Sequence, residues 1–350
     1  MDRKTFGKNF PLPDFGFDVI TLAHGSGGLL TQKLLESGIF GLLENPWLDS
    51  RHDGAVLDLQ GKTAFSTDSF VVSPIFFPGG DIGELAVNGT VNDVAMCGGI
   101  PQFLSLGFII EEGLPVEVFW RIAVSIKYAA ERAGVQIVTG DTKVVDKGKG
   151  DKIFINTTGL GPLHPKAGIR ADRIRPGDKI IVSNAVGTHG IAILSVREGL
   201  AFETNIESDT VNLNHIVKAL LDDFGTDIKL LRDPTRGGVA AVLNEIAAQT
   251  GYGMVLEENR IPVLPPVKAA CEILGLDPLY SANEGVFIAF VEPEIAEKVV
   301  EKLHTFPESV FASVMGEVSH EQNGKVFLRN PLGGTRIVHM PVGEQLPRIC

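Results

Sequence analysis

Asn88-Gly89-Thr90-Val91-Asn92-Asp93-Val94-Ala95-Met96-Cys97-Gly98-Gly99-Ile100-Pro101 is the stretch on which the reading of the fold turns. Asp81-Ile82-Gly83-Glu84, just upstream, has the form of a capping-box-like helix start. Gly98-Gly99 followed by Pro101 is a sound helix stop. The spacing therefore predicts a helix from about residue 81 to residue 96. Asp93 falls inside it, among Val91, Val94, Ala95 and Met96. A carboxylate in so apolar a setting is costly unless it is paired or metal-bound. That makes Asp93 the most informative acidic residue in the chain.

Working outward, 55–59 and 63–66 read as strands, and the second ends in Thr67-Asp68-Ser69. Residues 102–110 form a strong strand candidate. Pro115 opens a long amphipathic helix to Ala133, closed by Gly134. Residues 135–139 have a buried-strand pattern and lead into Gly140-Asp141-Thr142-Lys143, and 153–160 is another strand. The stretch 161–178 mixes glycines and prolines with charges, which marks the best boundary in the chain. Beyond it, strands are expected at 179–183, 253–257 and 286–291. Helices are expected at 189–198, 210–223, 239–250, 266–274 and 293–303. The expected organisation is a lead-in arm over 1–17, α/β units over 18–162 and 163–340, and a mobile tail over 341–350. Mixed sheets with helices packed on them should build both units.

Composition narrows the function classes. The chain has 350 residues, 44% of them hydrophobic and 21% charged, with 40 glycines, an ordinary globular balance with many tight turns. No apolar run reaches membrane-spanning length. The first residues are not followed by a secretory apolar core, so export is not expected. Three cysteines without a CxxC pair fit a reducing cytoplasm and argue against a disulfide scaffold or zinc site. A net charge of −12 disfavours nucleic acid as a partner. An acidic chain can still bind a nucleotide through magnesium, which takes carboxylate ligands.

Four aspartates suit that role: Asp68, Asp93, Asp141 and Asp233, the last in Arg232-Asp233-Pro234-Thr235-Arg236-Gly237-Gly238. Taken singly, each also has a bland reading as a helix cap or turn residue. Lys143 reads either as a solvated strand-end charge or as a phosphate contact. Glu284, between Asn283 and Gly285, is a surface turn or a general base. His24-Gly25-Ser26-Gly27-Gly28 precedes a helix and is an anion site or a plain turn. Cys97 and Cys271 are expected in the core. Pro347-Arg348-Ile349-Cys350 ends the sequence; alone it reads as a frayed end, beside magnesium-nucleotide loops as a tethered thiol.

Together HGSGG at 24–28, TDSF at 67–70, NGTVNDVAMCGGIP at 88–101, GDTKVV at 140–145, RDPTRGG at 232–238, NEG at 283–285 and the final PRIC resemble the HypE family of nickel-iron hydrogenase maturation proteins. The resemblance spans essentially the whole chain. The aspartate motifs alone would suggest only the wider superfamily of aminoimidazole ribonucleotide synthetase, selenophosphate synthetase and thiamine-monophosphate kinase. The PRIC ending is what separates HypE from these.

The resemblance implies a two-domain aminoimidazole ribonucleotide synthetase-like fold, a homodimer, and an ATP cleft built from the Asp loops. It implies a HypF partner that carbamoylates Cys350, ATP-dependent dehydration of the thiocarbamate to a thiocyanate, and transfer of cyanide to iron on a HypC–HypD complex. It further implies magnesium on Asp68, Asp93, Asp141 and Asp233. His24, Gly25, Gly27, Asn92, Thr142 and Asn283 join the aspartates around ATP and substrate. Lys143 and Glu284 are the proton-handling candidates. A small-molecule kinase or synthetase of the same superfamily, and a non-enzymatic scaffold, are the competing readings.

Overall fold

In the computed structural model the described residues are 3–26, 28–51, 53–199, 206–321, 324–343 and 349. Two sheets organise them. Strands β1 (Thr63–Phe70), β2 (Phe103–Glu111), β3 (Gln136–Val145) and β4 (Ile153–Pro162) form a four-stranded sheet in the order β1-β4-β2-β3. Strands β5 (Lys179–Val182), β6 (Ile228–Arg232), β7 (Gly253–Glu257), β8 (Ile288–Val291), β9 (Ser313–Ser319), β10 (Val326–Arg329) and β11 (Thr335–Val338) form a seven-stranded one in the order β11-β10-β7-β9-β5-β8-β6. The Gly/Pro-rich stretch lies between β4 and β5.

Helix α1 (Ile82–Met96) joins the two halves. Asp81 caps it: Oδ1 accepts from the N–H groups of Gly83 and Glu84 at 2.9 and 3.1 Å, satisfying donors that a helix start leaves open. The helix is buried nearly all round, as expected of a core helix rather than a surface one. Val87 and Val91 join the core of the first sheet, while Ala95 and Met96 join Ile181, Leu220 and Phe287 beside the second. Gly89 allows this fit, since a Cβ there would lie 2.9 Å from the Phe70 ring. Helix α2 (Val116–Ala133) packs beside α1 and ends on Gly134 at φ 70°, the left-handed stop its sequence announces. Helix α3 (Thr188–Arg197) sets Ile193 into the core of the first sheet, whereas α4 (Asn214–Phe224) and α5 (Gly238–Thr250) enter the cores on opposite faces of the seven-stranded sheet.

Several expectations are revised. Residues 55–59 form no strand, and among the described residues no strand pairs with them. β1 continues through Asp68, and β3 through Asp141 and Lys143, because the ladders to β4 and β2 run on past the apolar segments. These residues are therefore on strands and not on loops. Cys97 is exposed, sitting at the C-cap where α1 ends, whereas Cys271 is buried. The lead-in arm begins with a one-turn helix, Arg3–Gly7, and is tied down: Phe6 and Phe15 enter the core, and Arg3 pairs with Glu84 at 3.1 Å.

Candidate active site

The chain places the expected site residues in two groups. The first gathers where β1, α1, the loop after β6 and the loop before β8 meet. Asp93 Oδ2 accepts from Ser66 Oγ at 2.7 Å, and Asp68 Oδ1 accepts from its neighbour's N–H, that of Ser69, at 2.7 Å. Burial pushes the Asp93 carboxyl up, and Asp68 adds to it. Asp233 is raised to about 7 by burial and then by Asp93. Glu284 is only 4% exposed. Its carboxyl is held well above the usual range by burial and by Asp209, Asp233, Asp68 and Asp93 in turn. Its Oε1 is buried without a partner.

Asp209 and Ser66 belong to this group although neither was singled out in the sequence. Asp209 Oδ1 accepts from the Glu284 N–H at 3.1 Å, and its Oδ2 is buried and unpartnered. Burial raises Asp209 to about 6. Ser208-Asp209-Thr210 repeats the hydroxyl-Asp-hydroxyl pattern of Thr67-Asp68-Ser69, the one sequence signal that could have pointed to it.

Asn92 and Asn283 tie the backbone around this group. Asn92 Nδ2 donates to the Val211 carbonyl at 2.9 Å, and its Oδ1 accepts from Leu213 N–H at 2.7 Å. Asn283 is fully buried; it accepts from Gly187 N–H at 2.6 Å and donates to the Pro234 carbonyl at 2.8 Å. The amide oxygens and nitrogens of both are thus engaged with backbone.

The second group lies elsewhere. Lys143 Nζ donates to Asp141 Oδ1 at 2.7 Å, with the two side chains 62% and 67% exposed. This contact, first of all, lowers the Asp141 carboxyl. Thr142 points the other way and is buried. Gly25 lies flush on this strand, since a Cβ there would come within 2.3 Å of the Val144 nitrogen. His24 is buried beside Phe17, its Nδ1 accepts from Thr21 N–H at 2.9 Å, and its Nε2 has no partner. Gly27 and Cys350 lie outside the described residues.

Register separates the groups. Ser69 pairs with Asn156, Asn156 with Gly107, and Gly107 with Asp141, so Asp141 shares the exposed face with Ser69. Asp68, one residue earlier, takes the opposite face. β1 and β3 are also the two edges of the sheet, three ladder spacings or roughly 14 Å apart. Within a single chain Asp141 and Lys143 therefore lie on the other face and the other edge of the sheet from Asp68, which sets Asp141 apart from the aspartate with which it was expected to share magnesium.

The tail reaches the first group's surroundings. Ile349 is 5% exposed, and its carbonyl accepts from His189 Nε2 at 2.6 Å.

Magnesium needs hard oxygen ligands and is ordinarily held by one or two carboxylates plus nucleotide phosphates. Among the described residues no three His, Cys, Asp or Glu side chains form a ready-made metal cage. Carboxylates crowded enough to raise one another's pKa nonetheless fit a magnesium-nucleotide that brings its own phosphate ligands, with Asp68, Asp93 and Asp233 as its holders.

Comparison with known proteins gives the family. Models of the N-terminal and C-terminal domains of AIR synthase related proteins match residues 51–163 and 175–329. Carbamoyl dehydratase HypE of Azotobacter vinelandii is 50% identical over 332 residues, 95% of this chain and 97% of that protein. The chain belongs to the HypE family. A crystal structure of the hydrogenase maturation protein HypE in complex with ATP superposes with a TM-score of 0.91 at 47% identity, covering 94% of this chain and 99% of that one. A HypE chain from a HypE–HypF complex does so at 0.78 and 44% identity, covering 90% of this chain and 100% of that one. The two-domain α/β fold expected from the motifs is thus the HypE fold.

Proposed function

We propose that this HypE-family chain uses magnesium-ATP to dehydrate an S-carbamoyl group on Cys350 to a thiocyanate, the cyanide source for the iron of a nickel-iron hydrogenase. The observation that carries the reading is Glu284: a buried carboxyl with one oxygen unpartnered, walled by Asp68, Asp93, Asp209 and Asp233. A carboxamide nitrogen has to lose its protons for a C≡N bond to close, and a buried carboxylate of high proton affinity suits their removal. The carboxamide oxygen attacks the terminal phosphorus of ATP, the bond from that phosphorus to ADP breaks, and Glu284 Oε1 takes a proton from nitrogen. The C–O bond then breaks, phosphate leaves with the oxygen, and the second N–H proton passes to the departing phosphate as the nitrile closes. Magnesium on Asp68, Asp93 and Asp233 would neutralise phosphate charge during transfer. Because the thiol is tethered to the chain, the reaction is intramolecular, which raises its effective concentration.

Lys143 enters from a second copy in this proposal. The exposed face of the four-stranded sheet carries Phe65 and Ile109, 67% and 45% exposed, and β1 is an eight-residue edge. Long edges and apolar sheet faces require cover. A homodimer covers both and brings one chain's β3 beside the other's β1, with Lys143 and Asp141 near the partner's carboxylates. HypF, crystallised with a HypE relative, is the proposed carbamoyl donor, and a HypC–HypD complex the proposed acceptor. Carbamoylated chain incubated with magnesium-ATP should lose the mass of one water from its C-terminal peptide. ATP turnover without that loss would refute the reading.

A further inference from the structure

We infer that His189 is a positioning residue for the reactive tail, holding it through the main-chain carbonyl of Ile349, with Ser208 setting the ring's tautomer. The inference rests on the reading of Cys350 as the carrier. Neither His189 nor Ser208 falls in any of the family motifs quoted above.

His189 is the second residue of α3 and is fully buried, edge-on to Phe77 with ring centres 5.6 Å apart. Its two nitrogens are engaged at short range: Nδ1 with Ser208 Oγ at 2.7 Å and Nε2 with the Ile349 carbonyl at 2.6 Å. A carbonyl oxygen only accepts, so Nε2 must carry the hydrogen. In the neutral ring Nδ1 is then the acceptor, and the Ser208 hydroxyl must donate to it. Ser208 Oγ in turn accepts from the Thr210 N–H at 3.1 Å. The bonds therefore run one way, from Thr210 N–H through Ser208 and His189 to Ile349. Burial agrees with a neutral ring, since it lowers the His189 pKa to about 4.

A chain of bonds with this polarity is built to receive a carbonyl. With the tail withdrawn, Nε2–H would be left as a buried donor without a partner, an expensive state. The site also holds the side chain: Ile349 packs in the core that contains Phe77, Ile193 and Ala282.

The seat shares its frame with the proposed base. Ser208 orients His189, and the next residue, Asp209, accepts from the backbone N–H of Glu284. Gly190, next to His189, donates to the Ala282 carbonyl at 3.0 Å, two residues before Glu284. Holding residue 349 at His189 thus fixes the start of the last peptide unit relative to the Glu284 loop. Cys350 is one peptide bond further on.

The test uses the full chain, without ATP, and follows alkylation of Cys350 by iodoacetamide through mass spectrometry of the C-terminal peptide. Buried Cys271 serves in the same sample as an internal control for global unfolding. His189→Leu removes the donor and should speed Cys350 alkylation by about tenfold or more, as expected when a local contact opens. His189→Gln keeps an N–H donor and should stay within about twofold of the parent chain. Ile349→Gly empties the seat from the tail side and leaves the rest of the molecule intact, so it should match His189→Leu even if the latter folds poorly. Single-turnover dehydration should fall in the same order, with ATP binding unchanged. Parent-like alkylation in both His189→Leu and Ile349→Gly, with Cys271 still protected, overturns the inference. If the alkylation pattern holds but no chain ever dehydrates Cys350, the seat stands and the dehydratase reading fails.

Discussion

The separation of Lys143 from Glu284 has a quantitative consequence. Within one chain Lys143's strand β3 and β1, whose Asp68 stands with Glu284, are opposite edges of one sheet, three ladder spacings or roughly 14 Å apart, and an extended lysine side chain covers only about half of that. Lys143 also points from the opposite face of the sheet to Asp68. If both residues act in one reaction, they come from different chains of a dimer. Lys143→Ala and Glu284→Gln chains should each be inactive alone. Mixed in equal amounts and allowed to exchange subunits, about half of the dimers are hybrid, and each hybrid has one site with both residues intact. Activity per site should therefore recover to about a quarter of the parent value. A reciprocal mixture distinguishes the geometry further. Per site of the whole mixture, parent chain mixed equally with the double variant should show about a quarter of the parent activity if the site is shared, and about half if it is not. The assay is single-turnover release of phosphate from ATP by carbamoylated protein. No recovery in the first mixture, with half retained in the second, would refute the shared site.

Further outcomes follow from the same contacts. Asp233 has a folded-state pKa near 7, well above its ordinary value, so the folded chain binds its proton more tightly than the unfolded chain. That contribution is present below about pH 4 and is lost as pH rises through about 7. Thermal melts without ligand should show Asp233→Asn more stable by about 1–3 kcal/mol at pH 8 and little changed at pH 4, with activity abolished. Arg3→Met leaves buried Asp81 and Glu84 without their cation and should cost about 1–3 kcal/mol in denaturant unfolding while sparing the site chemistry. Asn92→Leu cuts the tie from α1 to Val211 and Leu213; it should destabilise by about 2–4 kcal/mol and weaken activity without changing which ligand binds.

Much of the fold was legible because its signals are local. The Asp81 cap, the Gly98-Gly99 stop, and Gly134 after α2 act within a turn of the residues they punctuate. Strand lengths were less legible. Gly140-Asp141-Thr142-Lys143 has turn composition, yet it is held extended by pairing with 106–109, a contact between distant segments. The site was half legible for the same reason. Asp68, Asp93, Asp233 and Glu284 stand in motifs, but their convergence depends on α1 bridging two sheets. Asp209, Ser66 and His189 act through partners 75, 27 and 160 residues away, and no local pattern encodes such pairings. Asn92 and Asn283 look like ligand residues in sequence because amides are common at binding sites. Only their bonded neighbours reveal them as internal ties.

The central claim concerns the fate of the carbon on Cys350. Full-length chain carbamoylated at that thiol, mixed with magnesium-ATP and digested, should yield a C-terminal peptide lighter by one water, with one phosphate released per thiol converted. Glu284→Gln should bind ATP and leave the carbamoyl peptide unchanged. A peptide of unaltered mass in the parent chain, with ATP consumed at the same rate, would contradict the account.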